Sequence, residues 1–178
     1  MDGCNVESGS GLHENQPGCK NCYAERLAVR LKEIGNPCHR NGFHVTLHPD
    51  QIELPLRWGK PKMIFVNSMS DLFHKAVPDE CIKKVFATMV KADWHILQIL
   101  TKRAERLAEL AQQLPWPSHV WQGVSVESQS YTKRVSGLQR VPANVRFLSV
   151  EPLLGPIGKM PLEGVHWGNR RRRERASP

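Results

Sequence analysis

The sequence of 178 residues lacks a long apolar run. No stretch approaches the roughly 20 continuous apolar residues that a membrane-spanning helix needs. The first residues, Met-Asp-Gly-Cys, do not combine a basic start with an apolar run as a secretory leader does. We therefore expect a cytoplasmic protein with no membrane partner. A hydrophobic share of 40% is enough for a folded core of about one domain.

Glycine-rich phosphate loops are also missing. None of the strands predicted below is followed by the glycine pattern of a dinucleotide-binding fold or by a P-loop. This absence weakens the interpretation of the chain as a nucleotide-binding open sheet.

The net charge of +8 is unevenly distributed along the chain. The last ten residues, 169–178, hold five arginines and one glutamate and contribute +4, which leaves +4 for the body. Such a segment is typical of a solvated tail or of an arm that binds nucleic acid. The abrupt change after Trp167 also fits a truncated or shifted reading frame. We expect residues 1–167 to form the domain and residues 168–178 to form a disordered basic tail.

Apolar strands alternate with amphipathic helices along most of the chain. Periodicity predicts a helix at 24–34, strands at 43–47, 63–68, 95–100, 120–126 and 145–150, and helices at 51–58, 78–92, 104–114 and 130–139. Such strands are buried on both faces, and parallel pairing requires a crossover, so the predicted fold class is α/β with a parallel sheet covered by helices. Right-handed crossovers produce either a doubly wound sheet or a βα barrel, and we favour a partial barrel.

The five cysteines are few and odd in number, and Cys19 and Cys22 form a C-x-x-C pair on a turn that opens a helix. In a reducing compartment this pair favours metal or redox chemistry over a disulfide framework. Cys4 could supply a third thiolate, in the pattern C-x14-C-x2-C. Three thiolates leave one iron of a four-iron cluster open to a substrate or cofactor. A structural zinc site and a thioredoxin-like redox pair are the alternatives.

Several longer motifs carry a resemblance to a known family. They are PGCKNCYAER at 17–26, PLRW at 55–58, IFVNSMSDLFH at 64–74, LTKR at 100–103, GVSVE at 123–127 and SVEPLLGP at 149–156. Together they closely resemble the phage gp thirty-seven / gp sixty-eight family, whose three-cysteine motif and βα repeats are similar to those of radical S-adenosylmethionine (SAM) enzymes. The resemblance spans Cys4 to Trp167.

This resemblance implies a radical-SAM-like barrel with a 4Fe-4S cluster on Cys4, Cys19 and Cys22, and SAM as a cofactor. Two features depart from the family. Its first cysteine lies closer to the C-x-x-C pair, and its members continue past Trp167 into further units. The chain is therefore expected to be truncated at its C-terminus.

Polar side chains follow the ends of four predicted strands, where βα folds place their chemistry. The cofactor-binding candidates are Asn67, Ser68, Asp71 and Ser125, and the catalytic candidates are Lys102, Glu127 and Glu151. Lys102 and Arg103 could bind a carboxylate or a phosphate. The alternatives are structural: Asp71 capping a turn, and Glu127 or Glu151 in an ion pair with one of the two cations.

The function these features favour is a phage-derived iron-sulfur protein that cleaves SAM reductively to modify an unknown substrate. The rival is a non-enzymatic, metal-stabilised phage protein that binds nucleic acid through its basic tail. An inactive truncated remnant is the third alternative. A partner protein that completes the barrel is also left open.

Overall fold

The computed structural model describes residues 23–36, 39–41, 48, 51–68 and 70–172. The predicted strand at 43–47 lies outside these residues. The helices are α1 (Tyr23–Glu33), α2 (Asp79–Lys91), α3 (Ala104–Leu110) and α4 (Arg134–Gln139). The strands are β1 (Met63–Val66), β2 (Ile96–Thr101), β3 (Val120–Ser125), β4 (Val145–Leu153) and β5 (Trp167–Arg172). The predicted helix at 51–58 is a short 3-10 helix, Leu54–Arg57.

The five strands form one parallel sheet in the order β1-β2-β3-β4-β5, so the predicted α/β class with a parallel sheet is confirmed. Each strand pairs with its successor in the chain, and within the described residues the sheet is not closed. Because the chain crosses the sheet in one direction, from β1 to β5, right-handed crossovers between its strands place the connecting helices on the same face.

One face of the sheet is packed against the helices. Ile64, Leu97 and Val124 are buried there in one cluster with helix side chains such as Phe86 and Leu107. Burying these side chains contributes about 1.5–3 kcal/mol each. The neighbouring residues of each strand point to the opposite face, because side chains alternate along a strand. That second face, here called the open face, leaves Met63 60% exposed.

The connection between β4 and β5, residues 154–166, contains no helix. Arg146 holds it in place: its side chain donates hydrogen bonds to the carbonyls of Gly164, Gln139 and Val141 at 2.8, 3.1 and 3.1 Å. β5 then pairs with β4 as far as Arg172. The strand therefore extends five residues beyond Trp167, into the segment predicted to be a disordered tail, because the ladder with β4 satisfies its backbone on one side.

Candidate functional site

Four polar residues on neighbouring strands lie side by side on the open face at the carboxyl end of the sheet. Ser125 pairs with Ser149, and Ser149 pairs with Asn169. Because Thr101 pairs with Val124, the next residue, Lys102, lies beside Ser125. We call Lys102, Ser125, Ser149 and Asn169 the polar row. It spans four adjacent strands whose spacing is about 4.8 Å.

An apolar layer lies one step below the polar row on the same face. It consists of Leu100, Gly123, Phe147 and Trp167, which are successive register partners. The rings of Phe147 and Trp167 are stacked, with centroids 4.6 Å apart and planes 3° from parallel. Gly123 leaves the space that the Phe147 ring occupies, since a Cβ there would lie 2.4 Å from the Phe147 Cε2 atom.

Gly123→Ala is therefore expected to lower the free energy of unfolding by about 1–3 kcal/mol, because the phenyl ring must move out of its stack with Trp167. Chemical denaturation monitored by tryptophan fluorescence measures this loss. Gly155→Ala is the matched control, because a Cβ at Gly155 meets no atom within 4 Å. Equal stability of the two variants would contradict the packing described for Phe147.

Glu127, just above the polar row, is held by two cations. Its carboxylate is 1% exposed. The Arg134 Nη1 donates to Glu127 Oε2 at 2.7 Å and to the Ser125 carbonyl at 2.8 Å. The Lys102 Nζ lies 2.6 Å from Glu127 Oε1 but is not aligned for a hydrogen bond with it. Lys102 therefore stabilises the Glu127 carboxylate through its charge and not through a hydrogen bond. The ion pair between Glu127 and Lys102, given above as the structural alternative, is present.

Asp71 ties the loop after β1 to the end of β2. Its Oδ1 accepts from the Thr101 hydroxyl at 2.6 Å and the Phe73 N–H at 3.0 Å. Its Oδ2 accepts from the Arg103 Nη1 at 2.9 Å and the Lys102 N–H at 3.1 Å. Both carboxylate oxygens are therefore hydrogen-bonded within the protein. The bond from the Phe73 N–H is the turn cap given above as the structural alternative. A role of Asp71 in ligand binding stays a prediction.

Asp71→Asn is expected to lower the free energy of unfolding by about 2 kcal/mol, the scale of a hydrogen bond to a charged group. The amide presents an NH2 group where Oδ1 or Oδ2 now accepts two donors. Thermal and chemical unfolding measure the loss. Asp79→Asn serves as the control because Asp79 pairs with Arg106 at a more exposed position, where ion pairs contribute little. If Asp79→Asn were as damaging, the connection through Asp71 would not be the cause.

The loop that begins at Asn67 has an unusual backbone. Asn67 has a φ of 60°, in the left-handed region that asparagine tolerates better than most residues. Its side-chain amide donates to the Ser70 hydroxyl at 2.8 Å. Ser68 is exposed and directly follows Asn67. The two residues lie at the same sheet edge as the polar row, and their predicted contact with SAM stays a prediction.

Glu151 lies beyond Ser149 on β4 and accepts a hydrogen bond of 3.3 Å from the Asn169 amide. The sequence pattern singled out Glu151 but missed Ser149, Asn169 and Arg134. Ser149 could have been found from its position at the strand end, two residues before Glu151. Asn169 was hidden because the basic segment did not indicate a strand, and the pairing of Arg134 with Glu127 depends on where α4 packs.

The predicted cluster ligands Cys4, Cys19 and Cys22 lie outside the described residues. Within the described ranges, no group of three or more His, Cys, Asp or Glu side chains could hold a metal ion. Cys81 on α2 is partly buried and disulfide-bonded. No helix in the described part of the chain is both long and apolar enough to cross a membrane.

Fold and site together define an α/β protein with a parallel sheet in chain order, whose polar side chains gather at the carboxyl edge. The family model described as "protein of unknown function (DUF5131)" matches residues 5–168. The chain belongs to this family. Searches of the curated proteins and of the solved structures found no match.

Proposed function

We propose that this chain is an iron-sulfur protein of the radical-SAM type, related to phage proteins, and that the polar row forms part of its SAM site. The observation that carries the proposal is the polar row itself. It places a cation, two hydroxyls and an amide on one face at the carboxyl edge, where βα folds bind their substrates.

The order of the strands supports a barrel-type fold. Doubly wound sheets that bind nucleotides reverse their strand order at a switch point, whereas the strands of a βα barrel follow one another in chain order. The described sheet follows chain order throughout and has helices on one face. We infer that the sheet is part of such a barrel and that its open face is the interior side.

The residues of the row suit the groups of a molecule like SAM. Lys102 offers an ammonium to a carboxylate, and its side chain remains 29% exposed. Ser125 and Ser149 are buried, at 3% and 7% exposure, and their hydroxyls are of the type that binds sugar oxygens. Glu151, bonded to Asn169, offers a carboxylate to an amino group. Glu127 holds Lys102 at the row and, with Arg134, fixes the end of β3.

The cluster would be held by Cys19 and Cys22, with Cys4 as the third thiolate. When bound there, a four-iron cluster with one iron free of protein ligands would supply the redox chemistry for reductive cleavage of SAM, with the electron taken from an external one-electron reductant. Lys102, Glu127 and Glu151 would orient the bound molecule and exclude water on its polar side. The substrate that is modified is left open.

Anaerobic reconstitution with iron and sulfide tests the cluster. We expect about four irons per chain, visible absorption, and a change of the spectrum when SAM is added. Cys19→Ala should abolish cluster binding, and Cys81→Ala, which breaks a disulfide but removes no predicted ligand, should retain it. Stoichiometric zinc without iron, or equal iron content in both variants, would contradict the proposal.

The SAM site is tested separately. Ser125→Ala combined with Lys102→Met should leave the iron content unchanged and weaken SAM binding at least tenfold, as equilibrium dialysis would show. Lys133→Met is the matched control, because Lys133 lies on the helical side and pairs only loosely with Glu105 at 3.9 Å. Unchanged SAM affinity in the double variant would exclude the polar row as the site.

A further inference from the structure

We infer that Asp71 is a positioning residue, which holds Lys102 in the polar row and does not itself contact the bound molecule. The inference rests on the proposed function, because it gives Asp71 a task in the same SAM site. That task differs from the direct contact with SAM that the sequence predicts for Asp71. Two features of the structure support it: the four hydrogen bonds of the Asp71 carboxylate, and the attachment of Lys102 at both ends.

The hydrogen bonds of the Asp71 carboxylate fill its acceptor positions. A carboxylate has about four lone-pair positions, and four donors of the protein bond to this one. The Thr101 hydroxyl and the Phe73 N–H bond to Oδ1. The Arg103 Nη1 and the Lys102 N–H bond to Oδ2. A ligand could bond to this carboxylate only by displacing one of the four donors, so the group is better suited to hold the protein than to hold a ligand.

The bond from the Lys102 N–H holds the chain just beyond the end of β2. The ladder between β2 and β3 ends with the pair of Thr101 and Val124, and Lys102 is the next residue. Its N–H donates to Asp71 Oδ2 at 3.1 Å. The Asp71 side chain is only 16% exposed, and hydrogen bonds to an ionised group are stronger than those between neutral groups. Asp71 therefore fixes the backbone for one residue more than the sheet does.

Lys102 is in this way attached at both ends. Asp71 holds its backbone, and Glu127 Oε1 lies 2.6 Å from its Nζ. Glu127 is in turn fixed by Arg134, whose Nη1 donates to Oε2 at 2.7 Å. A side chain that is immobilised before a ligand arrives loses less entropy on binding. The two carboxylates therefore preorganise the Lys102 ammonium for the carboxylate of the bound molecule.

A turn cap alone does not account for the contacts of Asp71. The bond from the Phe73 N–H to Oδ1 closes the turn two residues further along the chain, and a serine hydroxyl can make such a bond. The bonds to Oδ2 come from residues 31 and 32 positions away, and they require the second carboxylate oxygen. Asp71→Ser therefore separates the two roles, because it can keep the turn cap while it loses the connection to Lys102.

Labelling of lysine amines with acetic anhydride in the full chain, read by peptide mass spectrometry, measures how firmly the Lys102 ammonium is held. In the wild type, Lys102 should react more slowly than Lys133, which is 73% exposed and lies 3.9 Å from Glu105. Asp71→Ser should raise the rate at Lys102 by about 2- to 10-fold, the range expected when one long side chain is no longer immobilised. The control is Arg146→Met, which removes hydrogen bonds of the β4–β5 connection and should leave this rate unchanged.

Equilibrium dialysis with SAM, after reconstitution of the cluster, tests the same role in the proposed site. Asp71→Ser should leave the iron content unchanged and weaken SAM binding by about 2- to 10-fold. Added to Lys102→Met, it should cause no further loss, because a residue that acts through the Lys102 side chain has no effect once that side chain is removed. A residue that contacts SAM directly would add a loss of its own.

Two results would overturn the inference. One is an unchanged labelling rate of Lys102 in Asp71→Ser, and the other is an additive loss of SAM binding in the double variant. A reconstituted wild type that binds no SAM would refute the proposed function instead, and the labelling would still decide whether Asp71 holds Lys102.

Circular dichroism of each variant shows whether it is folded. Hydrogen exchange of the wild-type protein provides a measurement that needs no variant. The Lys102 amide should exchange as slowly as the ladder amides of β2, because it is bonded to a largely buried carboxylate. Exchange as fast as that of exposed loop amides would also overturn the inference.

Discussion

Glu127→Gln is expected to lower the free energy of unfolding by about 3–5 kcal/mol, the cost of leaving a buried charge without its partner. Arg134 is 3% exposed and would retain its charge beside a neutral amide. Arg134 also contacts the Ser125 carbonyl and the Tyr131 ring, and neither of these groups carries a charge that could replace the carboxylate. Urea denaturation at neutral pH measures the loss.

The two cations on Glu127 should contribute unequally. Lys102→Met should cost much less than Arg134→Met, because the Lys102 side chain is partly exposed and is not hydrogen-bonded to the carboxylate. The exposed pair of Lys133 and Glu105 provides the control, and Glu105→Gln should be indistinguishable from the wild type. A loss as small for Glu127→Gln as for Glu105→Gln would contradict a buried ion pair.

Acidification is expected to weaken the fold through His74. This residue is 3% exposed, and its Nδ1 accepts a hydrogen bond from the Ala76 N–H at 3.1 Å. No hydrogen-bond partner of its Nε2 lies among the described residues. Burial, together with the nearby Arg103 guanidinium, lowers the pKa of His74 from 6.5 to about 4. The folded protein therefore disfavours a protonated ring.

The pH window follows from these two values. Above pH 6.5 the ring is neutral in both states, so stability is fully present. As the pH falls from 6.5 through 4, the unfolded chain takes up a proton that the folded chain does not. Stability falls by about 2 kcal/mol at pH 5 and by about 3 kcal/mol below pH 4.

His74→Asn isolates this contribution. An asparagine Oδ1 can accept the Ala76 N–H as the ring Nδ1 does, but the amide does not titrate. The difference in unfolding free energy between wild type and variant should shift by about 2 kcal/mol in the variant's favour between pH 7.5 and pH 5. A difference that stays constant with pH would show that His74 can be protonated in the folded state without cost.

Local patterns were sufficient to predict the fold class. The apolar run at 95–100 predicted β2 to within a residue, and the amphipathic period at 78–92 predicted α2 equally well. A strand buried on both faces leaves a continuous apolar run, whereas a helix buried on one side leaves apolar residues at helical spacing. The position of polar residues after these runs also predicted the sheet edge at which Lys102, Glu127 and Glu151 lie, where Lys102 pairs with Glu127 and Glu151 bonds Asn169. Their catalytic roles, and the cluster on Cys4, Cys19 and Cys22, stay predictions.

Register and partner choice came only from the tertiary structure. Arg134 lies seven residues from Glu127 in the chain, and only the packing of α4 against β3 turns them into a buried pair. Asn169 joins the polar row because β5 pairs with β4, and this pairing outweighs the poor strand propensity of Gly168 and Asn169. Sequence periodicity determines which face of an element is buried. Which side chains meet across elements depends on long-range pairing, and local patterns do not encode it.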